Sequence, residues 1–267
     1  MLLKKIEKNY ISILITNYNK ENFLDKTLKT VCTQNFKNYE IILFDDCSTD
    51  NSIAIIKKYK KVKLIINKVK NKNKSGPINQ IDGIIEGFKK SKGNIICLLD
   101  GDDYFKKDKL IQINKFFQIN KKLNCVFDIP INNQAKFNFK KKQKYYSVWS
   151  TIFPTSCISL RRNFFEIFIR NIKKQNFPHL EIDARISIFS KYFMNEYSVL
   201  NKKLTFYNYD QNGITAKVKK YSKIWWIRRF EAFSYLRIIM KKKKLSFTFS
   251  FDYYLTKFLA FFFKKNI

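Results

Sequence analysis

Residues 40–52 read Glu-Ile-Ile-Leu-Phe-Asp-Asp-Cys-Ser-Thr-Asp-Asn-Ser, a short apolar run that ends abruptly in acids and small polar residues. An apolar run without alternation suits a strand covered on both faces, as in a parallel sheet. Asp50 is placed to cap a helix running on through Tyr59. Working outward, Tyr10 to Thr16 (YISILIT), Val62 to Ile66 and Asn94 to Leu99 (NIICLL) are runs of the same kind. Between and after them lie helical patterns. Asn22 to Gln34 carries Phe23, Leu24, Leu28, Val31 and Cys32 at helical spacing. Pro77 opens a helix to about Lys90, and another runs from about Lys107 to Ile119. Buried strands alternating with amphipathic helices predict an α/β fold: a Rossmann-like, mostly parallel sheet flanked by helices. In such sheets ligands sit beyond the carboxyl ends of the strands.

After residue 120 the rhythm changes. Asn124 to Ile131 reads as a strand, Asn132 to Lys144 as a polar, Lys-rich excursion, and Ser156 to Leu160 as a strand feeding a helix from Arg162. Ile182 to Phe193 is amphipathic, and Tyr197 to Tyr209 reads as an irregular strand pair. From about Tyr221 a helix runs to Met240, followed by four lysines and an aromatic-rich segment to Lys265. The expected organisation is one catalytic domain over 1–217, whose change of rhythm divides it into 1–120 and 121–217, the halves that the resemblance given below implies bind donor and acceptor. A helical appendage follows over 218–267.

Composition narrows the chemistry. The 267 residues are 45% hydrophobic, enough for a sizeable core. The five cysteines, Cys32, Cys47, Cys97, Cys125 and Cys157, form no CxxC pair, and His179 is the one histidine. That speaks against zinc fingers, Ser-His-Asp triads and disulfide scaffolds, and for a reducing compartment. The net charge is +32, yet only seven of the 53 basic residues are Arg. Nucleic-acid binders lean on Arg for bidentate contacts, and an AT-rich genome by itself favours Lys. Residues 218–267 nonetheless carry +11, about twice the density of the rest. No segment reaches the ~18–20 apolar residues of a membrane span. Charges interrupt the opening MLLKKIEKNY, so a cytosolic chain is expected.

Two acidic clusters follow predicted strands: Asp45-Asp46 and Asp100-Gly101-Asp102-Asp103. Such crowding is unfavourable unless cations or hydrogen-bond donors neutralise it. A hard divalent cation, Mn²⁺ or Mg²⁺, completed by substrate phosphates and water, fits that need. Loops after strands also favour Asp, Gly and Ser for their own sake.

The segments Ile13 to Asn19 (ILITNYN), Leu24 to Gln34 (LDKTLKTVCTQ), EIILFDDCSTDNS and LLDGDDYF, in this order, resemble glycosyltransferase family 2. The resemblance implies a GT-A fold and an inverting, metal-dependent hexosyl transfer from a nucleoside diphosphate sugar, a UDP-sugar being favoured. By the same resemblance Thr16 and Tyr18 contact the base, and one carboxylate of Asp45-Asp46, Asp46 favoured, accepts its N–H. Asp100 then holds the ribose beside Gly101, and Asp102 or Asp103 ligates the metal. The acceptor base is placed in His179-Leu180-Glu181-Ile182-Asp183-Ala184-Arg185. Asp183 is preferred and Glu181 second, with Arg185 orienting or pairing the base and His179 a turn residue. Acids in a first turn also suit the helix dipole. Where many relatives complete the metal site with His, this chain has Asn212 within Tyr209-Asp210-Gln211-Asn212-Gly213. Lys72 or Lys74 could meet the diphosphate or simply face water.

In the tail, Trp225, Trp226, Phe230, Phe233, Tyr235 and Leu236 interleave with Arg228, Arg229 and Arg237, ahead of Lys241 to Lys244. The pattern suits an anionic membrane surface or packing on the domain. A peripheral place on the cytoplasmic face of a bacterial inner membrane would match a lipid-linked or surface-glycan acceptor of lipooligosaccharide, O-antigen or capsule type. The rivals are a GT-A-like module without catalysis, a nucleotidyltransferase, and a basic nucleic-acid binder. The last gives no reason to gather acids at one strand edge.

Overall fold

The first four strands form a parallel sheet by pairing outward from β1 (Ile11–Asn17), which lies between β2 (Tyr39–Asp45) and β4 (Ile95–Asp100); β3 (Val62–Ile66) extends the far side of β2. This computed structural model describes residues 9–68, 75–131, 153–195, 197–208, 210, 213, 216, 218–246, 248 and 250–265. The Lys-rich excursion from Asn132, Lys72, Lys74, Tyr209, Gln211 and Asn212 lie outside the described residues.

The second half continues the same sheet in mixed directions, giving the order β3-β2-β1-β4-β7-β6-β8-β5. Here β5 is Tyr104–Phe105, β6 Cys125–Ile131, β7 Ile158–Arg161 and β8 Tyr197–Phe206. β7 runs antiparallel to β4 and β6, β8 parallel to β6, and β5 antiparallel to β8. The mostly parallel expectation therefore describes the first half, and the whole sheet is mixed. The expected strand pair after Tyr197 is one long strand whose register against β6 shifts at Asp128–Pro130. Pro130 has no N–H for the ladder and commonly marks such an irregularity.

Because side chains alternate across a strand, each strand feeds two cores. Ile11, Ile13 and Ile15 of β1 face α1 (Glu21–Cys32), α2 (Ser52–Lys57) and α4 (Lys109–Ile119). Leu14 and its neighbours Ile42, Ile96 and Leu98 face the other layer, which includes α3 (Gly76–Lys90), α5 (Arg162–Asn171) and α6 (Ile182–Ile188). α6 runs on as a wider π turn over Phe189–Met194, stopped by Asn195 in the left-handed region.

The tail divides. α7 (Lys223–Lys242) buries Phe233, Tyr235, Leu236 and Ile239 in the core shared with α5 and α6, so the first tail helix is part of the domain. α8 (Phe251–Lys265) packs on α7 through Tyr253, Thr256 and Ala260. Its opposite side, Phe251, Tyr254, Leu255, Phe258, Phe261 and Phe262, is 39–82% exposed.

Candidate active site

Register decides what meets at the sheet edge. Asn17 sits opposite Asp45, and Thr16 opposite Asp100 on the other flank. Asn17 Nδ2 donates to Asp45 Oδ2 (2.7 Å), and Ser48 donates to the same carboxylate through its backbone N–H (2.9 Å) and its hydroxyl (2.6 Å). Asp45 is wholly buried, and its bonds shape the turn in which Cys47 adopts φ 63°. Asp46 stands nearer the opening and accepts from Asn67 Nδ2 at 2.8 Å. Tyr18 is 39% exposed at the same rim.

Asp100 Oδ1 accepts from Thr16 Oγ1 (3.1 Å) and Gln80 Nε2 (2.7 Å). Burial, followed by the charge of Asp102, pushes its carboxyl up to about 7, against the pull of these hydrogen bonds. The backbone passes tightly here: a Cβ on Gly101 would lie 2.7 Å from Asn17 Oδ1. Asp103 turns inward, 1% exposed, and accepts from Ser156 Oγ (2.5 Å) and the Asn208 N–H (2.8 Å). Burial and the charges of Asp102 and Asp100 raise it well above the usual carboxylate range. Ser156 also accepts from the Asp100 N–H at 3.0 Å, so one hydroxyl joins both ends of the acidic loop.

Asp102 points the other way and pairs with Lys20 Nζ at 2.5 Å. Lys20 also bonds Asp210, so two carboxylates converge on one ammonium. Burial draws the Lys20 pKa down, but Asp102 and Asp210 outweigh it and leave it above its ordinary value. Beneath the loop Lys109, fully buried, bonds Asp128 (2.7 Å), the Ser156 carbonyl (2.7 Å) and Thr205 Oγ1 (2.6 Å).

Among the described residues no three His, Cys, Asp or Glu side chains gather into a metal cage. Mg²⁺ and Mn²⁺ need none when one or two carboxylates join a diphosphate and water. Asp102 offers such a carboxylate at a point already selected by a cation, with Asp210 beside it and Asp103 committed behind.

At the start of α6, Glu181 is the N-cap residue and Asp183 lies in the first turn. Asp183 accepts from the Ala184 N–H at 2.6 Å, and its charge is felt at Asp100 and at Tyr207. Arg185 does not serve as its partner in the expected way. Its buried guanidinium donates to the carbonyls of Leu180 (2.9 Å), Ile172 (2.6 Å) and Phe177, holding the chain that leads into α6. The cation at the acid pair is Arg228 of α7, with Nε 2.6 Å from Glu181 Oε2. Burial pushes Glu181 up to about 7, with Arg228 opposing it and Asp183 adding to it. His179 sits in a turn, and its N–H donates to Glu231 at 2.8 Å.

The expected residues Thr16, Tyr18, Asp46, Asp100, Gly101 and Asp102 thus meet at one edge, with Asp183 and Glu181 facing them. Sequence reading missed Lys20, Gln80, Lys109, Ser156 and Asn208, and gave no role to Asp210 or to Arg228 beside the acid pair. Lys20 and Lys109 are two of 46 lysines, and only folding singles them out.

A parallel four-stranded half with acids at its strand ends, continued by a mixed half, is the architecture of GT-A glycosyltransferases. The chain belongs to glycosyl transferase family 2, whose model matches residues 12–193. Its fold is similar to Staphylococcus aureus TarS 1–349 in complex with UDP-GlcNAc, with TM-score 0.63 and 17% identity over 96% of this chain and 71% of that one. It is also similar to the mannosyltransferase PcManGT from Pyrobaculum calidifontis in complex with GDP-Man and Mn²⁺, with TM-score 0.58 and 14% identity over 96% and 70% of the two chains. In sequence it is 38% identical over 106 residues to an uncharacterized glycosyltransferase of Haemophilus influenzae, covering 38% of this chain and 39% of that relative's length.

Proposed function

We propose that the chain is a metal-dependent, inverting glycosyltransferase. It moves a sugar from a nucleoside diphosphate sugar, a UDP-sugar being favoured, to a hydroxyl of a surface glycan or lipid-linked acceptor. The observation carrying this reading is the β1 register, which gathers Thr16, Asp46, Asp100 and Asp102 at one edge with Asp183 facing them. The complexes of TarS with UDP-GlcNAc and PcManGT with GDP-Man and Mn²⁺ support a nucleotide-sugar donor.

In this reading Thr16 and the exposed ring of Tyr18 border the base, and Asp46 accepts its N–H. Asp45 stays with the turn, and Asp100 faces the ribose. Asp102, with Asp103 behind it, would hold Mn²⁺ or Mg²⁺, whose chemistry is to stabilise charge on the departing diphosphate. The acceptor hydroxyl gives its proton to a carboxylate oxygen of Asp183 while its oxygen bonds to the anomeric carbon. The bond from that carbon to the diphosphate breaks, and the diphosphate leaves with the electron pair through an oxocarbenium-like transition state.

The tail supports work at a membrane surface, on the cytoplasmic face of the inner membrane. α8 turns an aromatic stripe outward, flanked by exposed Lys257 and by the exposed run Lys241 to Lys244. The two tail acids, Glu231 and Asp252, are turned to His179 and Arg229. Such a helix suits an anionic headgroup layer, and no described helix is long and apolar enough to cross a membrane.

Calorimetric titration with UDP, GDP and CDP, with Mn²⁺ and again with EDTA, tests the donor reading. Binding of one nucleotide that needs Mn²⁺ is the expected result. A folded protein that binds none of the three overturns it.

A further inference from the structure

Two acids enter α6 together, Glu181 buried and Asp183 half-buried. Glu181 is 5% exposed, and its carboxylate oxygens lack an aligned hydrogen-bond donor. Asp183 follows two residues later with a like charge. α6 is seven residues long, so its own dipole gives limited relief. Arg185 is turned to three carbonyls. The cation that answers the pair comes from the tail helix: Arg228 Nε stands 2.6 Å from Glu181 Oε2, with the side chains 15% and 6% exposed. The contact lies off the hydrogen-bond direction and is an ion pair. Three residues further along α7, Glu231 takes the His179 N–H, so one helix grips residues 179–181 at two points.

We infer that Arg228 is a positioning residue of the reaction: from α7 it holds Glu181 in place and keeps Asp183 ionised to take the acceptor proton. The inference rests on the reading of Asp183 as the base. Among the described residues, the charged and titratable groups acting on the acid pair are Arg228 from α7, Arg185 further along α6, Asp100 at the end of β4 and Tyr207 after β8. Arg228 is the cation in direct contact with the pair, since Arg185 spends its donors on carbonyls. Without Arg228, the like charges of Glu181 and Asp183 face one another uncompensated, and the pair is driven to take up a proton that Asp183 shares.

The test is a pH profile, from 5.5 to 9.5, of UDP release from UDP-GlcNAc, UDP-glucose and UDP-galactose with Mn²⁺ and water as acceptor. Arg228→Gln should move the acid limb of kcat upward by a pH unit or more. At pH 7 that is a loss of tenfold or greater, recovered at high pH, with UDP affinity unchanged. Arg228→Lys should restore most of the wild-type profile. Glu181→Gln, which removes the like charge, should move the limb downward and covers the case in which Arg228→Gln fails to fold. Equal loss at every pH, or limbs that stay in place in Arg228→Gln and Glu181→Gln, overturns the inference. The underlying reading fails separately: Asp183→Asn would then turn over at the wild-type rate.

Discussion

Asp183 and Arg185 are two residues apart on α6, which turns them about 200° from one another around the helix. Such neighbours do not share a face. Arg185 accordingly turns its guanidinium to backbone carbonyls, while Arg228 reaches the acid pair from another helix. Asp183→Asn should lower turnover about 10²–10⁴-fold, the usual contribution of a general base, with nucleotide affinity kept; single-turnover rates beside calorimetry would check it. Lys109 is a different case, since its ammonium is buried among Asp128, Thr205 and the Ser156 carbonyl. Lys109→Met leaves the Asp128 carboxylate without its cation, which should cost about 3–5 kcal/mol of stability. Chemical denaturation would show an unchanged midpoint if the buried pair were unimportant.

Elements with a strong period were legible, and their boundaries moved by only a few residues. β1, β2 and β4 carry apolar, buried centres because helices cover both faces, and that leaves a clear pattern, while β3 at the sheet edge is only half-buried. β5 has two residues, too few for any period, and exists because Tyr104 stacks on Phe206 of β8. β8 blends buried and exposed positions without alternation, since its register on β6 shifts twice. α7 and α8 look alike in composition but differ in fate: one is gripped by the core and the other holds only one narrow face against it. That difference yields an element-scale prediction. Replacing Phe258 and Phe261 together by Ser should abolish co-sedimentation with vesicles containing anionic lipid while leaving the melting temperature and UDP affinity intact. Undiminished co-sedimentation would remove the aromatic stripe from the membrane reading.

For the whole molecule, the sign of the buried carboxyl shifts sets how stability follows pH. Glu181, raised to about 7, and Asp128, also raised by burial, bind more protons folded than unfolded above the ordinary carboxyl range. Their contribution to stability is fully present below about pH 4 and is lost as pH rises, for Glu181 through about 7. Melting temperature should therefore rise between pH 7.5 and 5.5, and a fall over that interval would contradict the assignment. Net charge acts more diffusely. At +32 the chain repels itself, so moving from low to physiological salt should raise the melting temperature as the Debye length shortens from ~30 Å at 0.01 M to ~8 Å at 0.15 M. The same salt should weaken vesicle binding, giving opposite signs from one cause.

On α7, consecutive residues face opposite tasks: Arg228 reaches Glu181, while Arg229 takes Asp252 and Thr256 of α8. One peptide bond separates the grip on the proton-accepting side from the grip on the outermost helix. α7 is in this sense a lever with its fulcrum in the core, the load on one arm and the chemistry on the other. The outermost helix and the acid pair are thus tied to neighbouring positions of one core-anchored helix.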